Sequence, residues 1–453
     1  MTQLLSDELV AAAAERVADR MSAVAAAAQP AVSGRIVGAA GLAVEVAGLR
    51  AAVGDVVEVM TPRGPLAAEV VGLRGDRVTC LPLQAGDGLS LGARVRPAAR
   101  ALDVPVGDGL CGRVIDALGR PLDGGPPLHL LPRVSAHGVP PHPLRRQRIA
   151  APVALGVRAL DTLTPLGRGQ RVGLFAGSGV GKSSLLSMIA RGTGGVDAAD
   201  LTVLALVGER GREVREFLED DLGPEGLSRS VVVVATSDEP ALLRLRAASV
   251  ATRIAEHFRD TGRDVLLLLD SLTRVATAQR EIGLAAGEPP ATRGYPPSVV
   301  PTLARLLERA GAGENGTITA IYTVLVEGDD HDDPVADAAR SILDGHVVLT
   351  RALAHAGHYP AIDVLASVSR CAGAITTSEQ RALAAGARQV LAAYRDVADL
   401  VAIGAYVPGT RPEADRALAV KPALDAFLRQ DVHEIASAGL AWTQLAASLG
   451  HVA

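Results

Sequence analysis

The chain has 453 residues, 48% of them hydrophobic and only 2% aromatic, which allows several domains whose cores are built from Ala, Val and Leu. A formal charge of −5, from 45 basic and 50 acidic residues, excludes a whole-protein attraction to nucleic acid. Cys80, Cys111 and Cys371 are far apart and lack metal-type spacing, so they read as thiols of a reducing compartment.

Residues 1–28 form a predicted helix. The segment lacks glycine and proline until its end and is rich in alanine, with Leu5, Leu9, Val17, Met21 and Val24 at intervals near three or four. Its charges are spread, with no basic start and apolar core, so it is not a secretory signal. The longest apolar runs, such as 400–407, are too short to span a bilayer, which predicts a cytoplasmic protein.

Residues 29–98 change texture. Short β-branched runs at 35–37, 42–46, 56–60, 67–71, 77–80 and 94–95 alternate with glycine turns, the pattern of a small antiparallel barrel. Residues 99–150 are dense in Gly and Pro and read as a loop-rich segment wrapped against another core. From 151 to about 375 apolar strands alternate with helices. Strands are predicted at 172–175, 202–207, 231–235, 265–270, 318–324 and 346–349, with helices such as 182–191 and 240–260 between them. That order implies a parallel sheet covered on both faces. Helices follow at 378–394, 411–429 and 432–449. The predicted domains are therefore 1–28, 29–98, 99–376 and 377–453.

The strand at 172–175 runs into Ala176-Gly-Ser-Gly-Val-Gly-Lys-Ser183 and then a helix. Small residues let successive backbone N–H groups close around phosphate oxygens, and the helix start adds its dipole. Gly177, Ser178, Gly179, Val180, Gly181, Lys182, Ser183 and Ser184 are thus the expected phosphate-binding segment, a P-loop. Lys182 reaches the β/γ-phosphates and the Ser183 hydroxyl ligates Mg²⁺. Only two lysines occur in the chain, Lys182 and Lys421, so a lysine at this position is not a product of composition. The motif's usual first glycine is Ala176, which is tolerable if φ there stays negative.

Asp270 ends an apolar strand, as a Walker-B carboxylate holding Mg²⁺ would, or else caps the following turn. Glu209 ends another strand, at the sheet edge where ligands bind. It is either the base that polarises the attacking water or the start of a solvated helix. Neither lysine lies in the Asn/Thr-Lys-x-Asp loop that reads guanine, so ATP is the expected nucleotide.

Five segments together resemble one family, the export ATPases of the flagellum and of type III secretion systems, relatives of the catalytic-ring subunits of F-type ATP synthase. They are residues 169–183, 208–216, 279–295, 322–330 and 358–370, and the resemblance extends over roughly 30–450. It implies a P-loop NTPase of α/β class, with a RecA-like parallel sheet, an N-terminal β-barrel and a C-terminal helical domain. It further implies a homohexamer with nucleotide sites at the interfaces.

Carried over by motif, Glu209 matches the catalytic glutamate, and Arg210 and Arg274 match arginines lining the site. Tyr359 matches the aromatic packing on adenine, and Arg370 matches a finger entering the neighbouring subunit's site. The implied partners are a stator-like regulator on residues 1–28, a central stalk protein, export substrates with their chaperones, and an export gate at the inner membrane; no nucleic acid is expected. Residues 298–303 and His331 depart from the family text, and the acidic run 329–334 is expected to form a loop rather than a metal site. The resemblance favours flagellar export. A virulence secretion ATPase and a non-hydrolysing nucleotide-binding scaffold are the alternatives.

Overall fold

The computed structural model describes residues 17–18, 20–21, 33–84, 86–98, 103–326 and 333–450. Most of the expected helix at 1–28 and most of the acidic run at 329–334 lie outside the described residues. The chain divides into two compact units, Met1–Arg100 and Ala101–Ala453.

In the first unit six strands close a barrel: β1 Gly34–Ala40, β2 Ala43–Ala47, β3 Val56–Thr61, β4 Gly64–Arg74, β5 Arg77–Pro82 and β6 Arg94–Pro97. Their order is β1-β2-β5-β4-β3-β6, every pairing is antiparallel, and β6 returns to β1 through Gly34↔Val95. Alternation along each strand fills the interior with Val44, Val46, Val57, Val59, Ala68, Val70, Val78 and Cys80, small side chains that suit a narrow barrel. Burial pushes the Cys80 thiol up to about 12.

The second unit is built on a nine-stranded sheet. Its path runs Val368–Ser369, Gly345–Leu349, Arg171–Ala176, Thr317–Leu325, Asp264–Asp270, Leu201–Glu209, Ser230–Thr236 and Val114–Asp116, with Gly311–Ala312 paired to Thr317–Leu325. The six central strands are parallel to one another, while Val368–Ser369 and Gly311–Ala312 pair antiparallel. These strands read as continuous apolar runs because both faces are covered: Val265 through Leu269 are at most 1% exposed. Helices Ala241–Asp260 and Leu272–Ala285 pack together, the former across four of the strands.

One expectation is extended and one corrected. The segment 99–150 is loop-rich, as expected, and also carries short strands: Val114–Asp116 adds an edge strand parallel to Ser230–Thr236, and Asp103–Pro105 pairs with Arg133–Ser135. Three-residue strands leave no readable periodicity. The predicted helix at 432–449 begins only at Ala438. Its expected first turn is held away from helix, because Ala436 N–H and the Gln430 side chain both bond the Gly156 carbonyl.

The helix predicted at 378–394 continues to Ala402, after a capping box of Thr377 and Gln380. Ala387, Val390, Ala417, Leu424, Phe427 and Leu445 share one hydrophobic cluster with Leu160, Leu185 and Leu186. The C-terminal helices and the sheet are therefore packed as one body.

Candidate active site

The C-terminal ends of the parallel strands gather the site. Strand Arg171–Ala176 stops where the chain needs left-handed backbone, at Gly179 (φ 76°) and Gly181 (φ 88°), and the helix Lys182–Arg191 starts at once. Glycine adopts that conformation without steric penalty. Ala176, in place of glycine, is still in the strand, opposite Leu325 and Leu349, with its methyl buried and no positive φ.

Lys182 projects back between two carboxylates. Its Nζ lies 2.5 Å from Asp270 Oδ1 and 3.4 Å from Glu209 Oε1. Asp270 ends its strand opposite Leu206, which fixes it beside Glu209 at the end of the next strand. The Thr323 hydroxyl, on the opposite flanking strand, donates to the same Asp270 oxygen at 2.6 Å. Asp270 is 3% exposed, so its charge depends on these partners.

Burial lowers the Lys182 pKa, but the charges of Asp270 and Glu209 outweigh it and the net shift is upward. Burial also raises the Glu209 pKa; Lys182 opposes this, while Asp270 and a hydrogen bond with Glu213 add to it. Glu213 moves down despite its burial, held by that hydrogen bond and by Arg210. Ser183, Glu209, Glu213 and Asp270 line a common cavity of about 130 Å³.

The remaining predicted residues, Arg274, Arg210, Tyr359 and Arg370, take four separate positions. Arg274 packs along Gly208 (φ 73°), the residue before Glu209: a Cβ there would lie 3.0 Å from Arg274 Cβ and Cγ, so only glycine lets this arginine pack there, and it lines a cavity other than the one Glu209 lines. Arg210 is largely exposed and reaches the cluster only through Glu213, at 2.7 Å. The Tyr359 ring stands at the P-loop, 3.3 Å from where a Gly181 Cβ would be, and the residue is 46% exposed, which excludes a core-packing role. Arg370 is not brought into the cluster. It follows the edge strand Val368–Ser369, is exposed, and is held by its backbone N–H to Asp344 O at 3.0 Å.

Thr323 and Glu213 escaped the sequence reading. Thr323 is the polar residue within the apolar run 321–325, and Glu213 lies four residues beyond Glu209, in the first turn of the helix Gly211–Glu216.

A parallel sheet whose strand ends assemble a glycine loop, a lysine and two carboxylates defines the P-loop nucleoside triphosphate hydrolases. Comparison with known proteins narrows this class. The beta-barrel domain of the ATP synthase alpha/beta family matches residues 32–98, its nucleotide-binding domain matches 156–369, and the C-terminal domain of the type III secretion ATPase EscN matches 376–447. A flagellum-specific ATP synthase of Bacillus subtilis is 51% identical over 408 residues, covering 88% of this chain and 91% of that one. A type 3 secretion system ATPase of Xanthomonas euvesicatoria is 49% identical over 406 residues, covering 89% and 91%. The structure of the assembled ATPase EscN from enteropathogenic E. coli matches with a TM-score of 0.85 at 45% identity, over 92% of this chain and all of that one. The chain belongs to the family of flagellum-specific ATP synthases and type III secretion ATPases, and it is an ATP-hydrolysing enzyme.

Proposed function

We propose that this chain hydrolyses Mg²⁺-bound ATP as a homohexamer whose active sites are shared between neighbouring subunits, energising export of flagellar proteins. The observation that carries this reading is the division of the site. Lys182, Glu209 and Asp270 converge within one chain, whereas Arg370 stands exposed on the edge strand. An arginine delivered across an interface stabilises charge on the transferring phosphoryl group, an effect worth about 10³–10⁵ in rate. EscN has been solved both assembled and in complex with its central stalk EscO, which supports a ring and a stalk partner here.

Mg²⁺ fits the donor set. The Ser183 hydroxyl and the Asp270 carboxylate are hard oxygen ligands lining one cavity, as a cation completed by phosphate oxygens and water requires. When bound, the ion neutralises charge on the β- and γ-phosphates. The chain's own groups do the rest. The backbone N–H groups of the P-loop hold the phosphates, and Lys182 exchanges its carboxylate partners for phosphate oxygens. Glu209, released from Lys182, orients water and accepts its proton as it attacks the γ-phosphorus. Tyr359, exposed against Gly181, offers its ring to adenine.

Phosphate release tests the reading. Wild type should turn over, and Glu209→Gln should bind ATP but release no phosphate. Full turnover by Glu209→Gln would remove the general-base assignment.

Flagellar and virulence relatives match at 51% and 49% identity, so a secretion assay chooses between the two systems. Restored secretion of flagellar proteins in a strain lacking its own export ATPase supports the flagellar role, while restored virulence secretion alone supports the alternative. In this reading the N-terminal segment takes a stator-like regulator and the ring docks on an export gate at the inner membrane. Among the described residues no helix is long and apolar enough to cross a membrane.

A further inference from the structure

We propose that Arg351 is a nucleotide-binding residue that pairs with the triphosphate held on the P-loop, an inference that rests on the proposed ATP site. The register of the sheet places it there. Strand Gly345–Leu349 runs parallel to the P-loop strand with Leu349 opposite Ala176, so the residues just beyond each strand lie side by side. The contact is direct: a Cβ built on Gly177 would lie 3.3 Å from Arg351 Nε and from one of its terminal nitrogens. The guanidinium therefore rests on the backbone at the start of the phosphate loop, while the Tyr359 ring rests on Gly181 near its end. Both come from one excursion of the chain, pinned at its base by Thr350 N–H to Ala361 O at 3.0 Å and by the Leu349↔Ile362 bridge.

The charge of Arg351 has no structural use that the molecule displays. Other half-buried arginines on and around this sheet are paired: Arg171 with Asp344, Arg168 with Asp264, Arg244 with Glu281. Arg351, half-buried itself, makes no hydrogen bond or ion pair among the described residues. It also occupies the first turn of the helix Arg351–His355, the end at which a cation gains nothing from the peptide dipoles. An incoming triphosphate changes the balance. Lys182 is already shared between Asp270 and Glu209, so the loop needs further positive charge to hold a strongly anionic ligand. A planar guanidinium with several N–H donors matches phosphate oxygens, and such charge-assisted bonds are roughly twice as strong as neutral ones.

Equilibrium titration of the full chain with a fluorescent ATP analogue tests this, alongside thermal melting without nucleotide. Arg351→Ala should weaken binding roughly 10- to 100-fold, the loss of one charge-assisted contact. Its melting temperature should stay at the wild-type value, because no bond of the folded chain is removed. Arg351→Lys, which keeps the charge but not the planar fork, should bind more tightly than Arg351→Ala and less tightly than wild type. The inference is overturned if Arg351→Ala binds within twofold of wild type while Lys182→Ala loses binding. It is equally overturned if lysine fails to rescue, or if alanine acts by lowering the melting temperature. Wild-type binding by Lys182→Ala would instead remove the P-loop reading itself.

Discussion

Replacing Lys182 with alanine should destabilise the nucleotide-free protein, although the residue is expected to act on the nucleotide. The ammonium sits 2.5 Å from one carboxylate and 3.4 Å from another, with side chains only 12%, 4% and 19% exposed for Lys182, Asp270 and Glu209. At an effective dielectric near 20 those separations correspond to attractions of about 7 and about 5 kcal/mol. Desolvation of the buried ions takes back several kcal/mol each, and removing one partner of such a pair typically costs about 3–5 kcal/mol. With about 2.1 cal/mol/K of unfolding entropy per residue over roughly 350 residues, each kcal/mol moves Tm by about 1.4 °C, which predicts a fall of about 4–7 °C.

The loss carries a pH signature. Without Lys182, Glu209 loses the charge that opposes its burial while Asp270 remains beside it, so its folded pKa rises further above the unfolded one. Groups shifted upward contribute stability only below the unfolded pKa and lose it as pH rises through the folded one. The variant should therefore be more deficient at pH 8 than at pH 5, and adding Asp270→Asn should restore part of the loss. Calorimetry at both pH values measures it. A loss that is independent of pH and unrelieved by Asp270→Asn would refute the idea that this lysine neutralises both carboxylates.

Four further outcomes follow from the structure. Because burial holds the Glu209 pKa above the ordinary carboxylate range and a base must be deprotonated, ATP hydrolysis should rise with pH through that raised value. Glu213→Ala removes a hydrogen bond that raises the Glu209 pKa, so the acid limb of the rate profile should move to lower pH. Gly208→Ala forces a left-handed alanine against Arg274; it should cost about 1–2 kcal/mol in chemical denaturation and depress kcat by displacing Arg274 and Glu209. Arg388 donates to the carbonyls of Leu163, Val364 and Ser367, so Arg388→Ala should lower Tm by loosening the C-terminal helices from the sheet.

The fold was legible where hydrophobic pattern and spacing agree. Apolar runs such as 265–270 could only be strands buried on both faces, and the glycine loop before Lys182 marked the strand-to-helix turn. Val114–Asp116 was not legible, because a three-residue edge strand is defined by its partner rather than by its own pattern. The start of the last helix was misread for a related reason: Gln430 and Ala436 bond to Gly156, far away in sequence.

Within the site, Lys182, Glu209 and Asp270 were identifiable from position at strand ends, and the geometry brings these three together. Arg351 was not, because only the register Ala176↔Leu349 shows which residue lies beside Gly177. Arg370 follows an edge strand outside the cluster, where its guanidinium reaches the Arg340 carbonyl at 3.4 Å, and sequence pattern within one chain does not show which site it serves.

Mixing inactive protomers tests that shared site most directly. Lys182→Ala keeps Arg370 and Arg370→Ala keeps Lys182, so a mixed ring contains interfaces where an intact P-loop meets an intact arginine. Steady-state phosphate release should be absent for each variant alone and return to a fraction of wild type on mixing, greatest near equal proportions. No activity at any ratio, in rings shown to contain both protomers, would contradict an active site completed by the neighbouring subunit.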